Sequence, residues 1–131
     1  MGPQQVDKPI AAWKLPWYRL RSGRKYIHEH YSKGDTGLWI EGRGFIKRLL
    51  GDDSDGSRHQ RFIVQSPSRQ SLLIAHNIDL ADRVPVGMGD RIQFRGMYEW
   101  NELGGLVHWT HHDPLGVEDG GWIRYRRKAY A

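Results

Sequence analysis

The sequence predicts an all-β domain, a small five-stranded antiparallel barrel behind an N-terminal segment of different texture. Three observations lead there. Short runs of alternating apolar and polar residues recur between Gly-, Pro- and Asp-rich turns, the period-2 pattern of half-buried strands. The first run, residues 38–50, is long and carries Gly42 and Gly44 on one face, a spacing that lets one strand coil into both halves of a barrel. Between the third and fourth runs the chain has room for about one helical turn and no more.

Composition bounds what such a barrel does. The 131 residues suffice for one domain with a single core. Apolar residues make up 38% and the mean hydropathy is −0.71. No run approaches the roughly 20 apolar residues of a membrane-spanning helix, so no membrane partner is expected. The absence of cysteine rules out disulfides and thiolate metal sites. A net charge of +5 and a pI of about 9.7 accompany six Trp and six Tyr. Phosphates attract cations and bases stack on flat rings, so this mixture suits single-stranded DNA or RNA.

Residues 1–36 read as a separate arm. Pro3, Pro9 and Pro16 forbid a long early helix, and Trp13, Trp17 and Tyr18 alternate with Lys14, Arg19 and Arg21. A helix from about Trp17 to Tyr31, interrupted at Gly23, is the one candidate. The arm either reaches for phosphates or a partner protein, or clasps the barrel with its tryptophans buried.

The strands follow. After residues 38–50, the loop from Gly51 to Ser57 holds three aspartates in a plain polar turn. The second strand, residues 58–65, places Gln60, Phe62 and Val64 on one face and His59, Arg61 and Ile63 on the other. The third, 71–76, is apolar until it ends on His76. The fourth is the clearest alternator, with Ile92, Phe94, Gly96, Tyr98 and Trp100 opposed to Arg91, Gln93, Arg95 and Glu99. A hairpin loop at 101–105 leads to a fifth strand from Leu106 to about His111. Residues 120–125 add a short edge strand before a basic tail over 126–131. Ile40, Phe62, Val64, Leu72, Ile74, Ile92 and Phe94 are the expected core. Strand count, coiled first strand and the break after strand three favour an OB-like barrel over residues 37–125, in preference to an SH3-like one.

The runs Gly56–Phe62, Leu73–Leu80 and Val107–Pro114 carry a resemblance. Over roughly residues 38–123 the chain resembles the bacterial family called domain of unknown function 3465. That resemblance implies a shared domain and no particular reaction. Many relatives open with a secretion leader; this chain as written reads as cytoplasmic, with export if a leader was removed.

Chemistry concentrates in residues 104–114, where three of the seven histidines fall. His108, His111, His112 and Asp113 are possible ligands for zinc or another first-row metal, provided a bulge breaks the strand so that they converge. His59 and His76, at neighbouring strand ends, would complete such a site. A metal with an open position would activate water for a nuclease or phosphoesterase-type hydrolase, with His59, His112 and Asp113 as candidate catalytic groups and Arg58 or Arg61 on the phosphate. The plainer reading has Asp113 capping a turn, His111 bonded to backbone and Trp109 in the core. Without catalysis, the same region would bind nucleic acid or a related phosphorylated ligand. Arg58, His59, Arg61, His76, Arg95, Trp100, His108, Trp109, His111 and His112 would then be the contacts, joined by Arg91 and Trp122. Binding is the expectation carried forward, and whether the chain is an enzyme stays open. A structural or protein-interaction module is the third reading.

Overall fold

The computed structural model describes residues 36–131. The expected N-terminal arm, its candidate helix and its docking role lie outside the described residues. Those described contain seven strands: β1 (Leu38–Leu49), β2 (His59–Gln65), β3 (Ser71–Asn77), β4 (Arg91–Glu99), β5 (Leu106–His108), β6 (Trp122–Tyr125) and β7 (Lys128–Tyr130). Five of them close a ring in the order β1-β2-β3-β5-β4, with β4 returning to β1. All pairings are antiparallel except β3 with β5, which is parallel. This is the small OB-like barrel that the alternation predicted.

β1 does what its length implied. Residues 38–45 pair with β4, and from Phe45 onward the same strand pairs with β2, with a register shift between Ile46 and Arg48. Gly44 sits where the strand changes partners. A Cβ there would lie 2.3 Å from the Gln65 carbonyl oxygen and 2.5 Å from a Val64 methyl, so only hydrogen fits. The barrel interior contains Ile40, Phe62, Val64, Leu72, Ile74, Ile92 and Phe94, each of the residues expected there, and adds Tyr98, Val107 and Ile123.

Two buried polar side chains fasten the irregular crossing from β3 to β4. The Gln60 amide donates to the Val84 carbonyl at 2.7 Å and accepts from the Val84 N–H at 2.9 Å, standing in for a missing strand neighbour. His76 bonds the Asp82 carbonyl through Nε2 at 2.9 Å and Thr110 Oγ1 through Nδ1 at 2.7 Å. No helix forms along this crossing.

Three expectations are corrected. β5 stops at His108 rather than His111, because Trp109 adopts a left-handed backbone with φ 56°, which breaks the ladder. Arg95, expected on a solvated face, is buried: its guanidinium stacks 4.5 Å from the Trp39 ring and its Nε donates to the Gly120 carbonyl. Trp39, Met97 and Trp109 form a second apolar cluster outside the barrel, so β4 is covered on both faces over part of its length. Finally, residues 126–131 are not a free tail. A two-residue turn at Arg126-Arg127 sends the chain back as β7, and Tyr130 is buried against the core. β6 in turn pairs with β4, Gln93 opposite Arg124.

Candidate functional site

The histidine-rich stretch is a structural knot. After Trp109 the chain loops out and returns, its arms joined by the Gly121 N–H donating to the His111 carbonyl at 2.7 Å. Asp113 organises that loop: its carboxylate accepts the backbone N–H groups of Leu115, Val117 and Glu118 at 2.9–3.0 Å. Those amides, Glu118 first, hold its carboxyl below the usual range. His111 is buried, stacked on Trp109 with ring centroids 5.1 Å apart, and donates through Nδ1 to the His112 carbonyl at 2.7 Å. His112 itself is exposed. His108, buried, meets the Glu99 carboxylate at 3.4 Å. Burial pushes the Glu99 carboxyl up, but hydrogen bonds from His108 and Thr36 outweigh it and bring it below its ordinary value.

These groups therefore do not converge. Among the described residues no three His, Asp or Glu side chains are placed to hold one metal ion. His59 and His76 lie at adjoining strand ends, as expected, but on opposite faces. His76 is paired with Gln60 while His59 is paired with Asn77, and successive residues of a strand point opposite ways. His59 donates through Nδ1 to the Ser57 carbonyl, and burial pushes the His76 imidazole down to about 4.

The expected ligand face on β2 and β3 is likewise occupied by the protein itself. Arg58 pairs with Asp52 at 3.0 Å, and Asp52 also binds Arg83. Arg61 donates through Nε to the Gly51 carbonyl at 2.9 Å. Of the rings proposed as stacking platforms, Trp109 is buried and Trp100 is exposed.

A different surface has the properties a polyanion site needs. A groove of about 960 Å³ runs along the outer face of β1, β4 and the β6–β7 hairpin, lined by Arg43, Arg91, Arg124, Arg126 and Arg127 together with Phe45, Gln93 and the Gln65–Pro67 turn. Register builds it. Arg43 lies opposite Gln93, Gln93 opposite Arg124, and two rungs along Phe45 lies opposite Arg91. Continuing the β4–β6 register past its last rung brings the Arg126 end of the hairpin beside Arg91. No Asp or Glu lines the groove, and none of the five arginines makes an ion pair with another described residue. Phe45 stays 42% exposed beside them.

The hairpin turn has a further peculiarity. Arg126 and Arg127 have φ of 51° and 67°. A two-residue turn with both centres left-handed favours Asn-Gly, and an ordinary side chain there costs roughly 1–2 kcal/mol per residue. The Arg126 guanidinium lies 5.1 Å from the Tyr125 ring, and that of Arg124 4.7 Å from the Trp122 ring. Tyr125 donates its hydroxyl to Asp90 at 2.6 Å, and Asp90 also accepts the Gly87 N–H.

Of the residues named from sequence, the groove contains Arg91 alone. Arg43, Phe45, Arg124, Arg126 and Arg127 were missed as a site. Alternation would have placed each on an outer face. Which outer faces adjoin is a property of register between distant strands, which no local pattern carries.

A family model described as "Protein of unknown function (DUF3465)" matches residues 14–131, a span wider at both ends than the resemblance over residues 38–123. No curated protein matches the chain.

Proposed function

Since the chain belongs to the DUF3465 family, whose description names no reaction, we propose a function from the groove itself: it binds single-stranded nucleic acid along the outer face of β1, β4 and the β6–β7 hairpin. The observation that carries this reading is five arginines lining one groove without a carboxylate among them. Guanidinium groups stay charged at any physiological pH and match phosphate oxygens with two parallel N–H donors. A polyanion laid in the groove relieves their mutual repulsion and releases its own condensed counterions. Phe45 supports an unpaired strand over a duplex, because stacking on an exposed ring needs a free base face; such stacking contributes about 1–3 kcal/mol per base. The volume is on the scale of ligand clefts, enough for a few nucleotides.

The test is a titration of labelled single-stranded DNA and RNA at several salt concentrations. Each phosphate contact on a single strand contributes about −0.7 to the slope of log K against log salt, so five contacts give a slope near −3.5. Arg91→Ala with Arg124→Ala should flatten it by about 1.4, two contacts at that value. Arg58→Ala with Arg61→Ala should leave it unchanged, because neither residue lines the groove. Failure of both polymers to bind at low salt would refute the proposal.

A further inference from the structure

The groove's charge is not evenly spread. Arg43 and Arg124 flank the neutral Gln93 on one rung, whereas Arg91, Arg126 and Arg127 gather at the hairpin end. The last two occupy backbone positions that Asn-Gly would fill with less strain, and both residues line the groove. Strain retained where an easier pair exists points from conformation to use.

Resting on the proposed function, we infer that this end of the groove recognises a terminal phosphomonoester, so that the protein binds the phosphorylated end of a single strand. An internal phosphodiester carries one negative charge. A terminal phosphate carries roughly −1.5 to −2 near neutrality, with three strong acceptor oxygens and a second pKa of about 6. Three clustered guanidinium groups complement that charge and oxygen count better than they complement a diester. The other charged groups around this end are Arg43, Arg124, Lys128 on β7 and the Asp90 carboxylate, which attracts Arg126. The Tyr125 hydroxyl and the Gly87 N–H hold the Asp90 carboxyl below the usual range, and the bond to Asp90 raises Tyr125.

The experiment compares one oligonucleotide sequence carrying a 5′-phosphate, a 3′-phosphate or hydroxyls at both ends, with inorganic phosphate as competitor. One phosphorylated form should bind about tenfold tighter than the hydroxyl form at pH 7.5, and the advantage should shrink as pH falls below about 6. The double variant Arg126→Asn, Arg127→Gly relaxes the turn, so its melting temperature should rise on the order of 5 °C while the end preference disappears; hydroxyl-ended strands should still bind, more weakly and with the salt slope flattened by about 1.4. Equal affinity for all three ends, with binding intact, overturns this inference and leaves the proposed function standing. Absence of binding by every strand overturns both. Inorganic phosphate competing as strongly as the phosphorylated strand would make this a free-phosphate site and overturn the strand-end assignment.

Discussion

His76 has its Nε2–H committed to the Asp82 carbonyl, so its Nδ1 accepts from the Thr110 hydroxyl, and the neutral imidazole satisfies both contacts inside the protein. Burial pushes it to about 4, with smaller contributions from His111 and His59 nearby. The unfolded chain takes up this proton near 6.5. Between those two values the unfolded state binds more protons than the folded one, so stability declines as pH falls through the window, by about 3 kcal/mol in all. Urea unfolding at intervals from pH 7 to 4 measures the slope. His76→Gln keeps one donor and one acceptor and should flatten it; an unchanged slope would assign the effect to another group. The Asp90 and Asp113 carboxyls, held below the usual range by their hydrogen bonds, give up their contribution at lower pH still. None of this was legible from His76 as a letter in the sequence. A histidine ending an apolar run reads equally as ligand, binder or buried anchor, and the partners that decide the matter, Asp82 and Thr110, belong to other segments.

Elements were more legible than residues, and the reason is local. A strand with one face in the core must alternate, so β2 and β4 follow from period 2 and β3 from an apolar run between turns, and all seven core residues named from sequence are buried. The rule fails where a second layer covers the outer face: Arg95 and Met97 alternate correctly yet are both buried, because Trp39 and the returning loop sit over them. It fails again at Arg126-Arg127-Lys128, where basic composition suggested a tail and the register made a hairpin. Gly44 is the element-scale test. Gly44→Ala drives a methyl into the Gln65 carbonyl at the point where β1 passes from β4 to β2. The backbone cannot yield there without parting two strand pairs, so the change should cost about 1–3 kcal/mol, read as a lower urea midpoint. A midpoint equal to that of the parent protein would mean that β1 coils less tightly at this position than described.

At the scale of the molecule, charge is segregated. Asp52 neutralises Arg58 and Arg83, while the lining of the groove carries five arginines and no carboxylate, with Asp90 beside Arg126 at its hairpin end as the nearest acid named. The site was illegible in the sequence for the same reason that the ring is: Arg43 and Arg124 are 81 positions apart in the chain, and only the pairing of both strands with β4 brings them together. That connectivity also governs time. β1 and β4 pair residues at least 46 positions apart, from Phe45 with Arg91 to Leu38 with Tyr98, and the ring shuts through a parallel contact of two rungs, Leu73 with Leu106 and Ile74 with Val107. The β2–β3, β4–β5 and β6–β7 hairpins are local, but closing the ring waits on long loops, so the search should be slow, with refolding in milliseconds to seconds rather than microseconds. Stopped-flow tryptophan fluorescence would follow it through Trp39 and Trp109, which become buried together as the outer cluster forms. A full-amplitude microsecond phase would contradict this order of events. Until Val107 docks, β3 and β5 remain open edges, and a chain held at that stage would offer both to a neighbour.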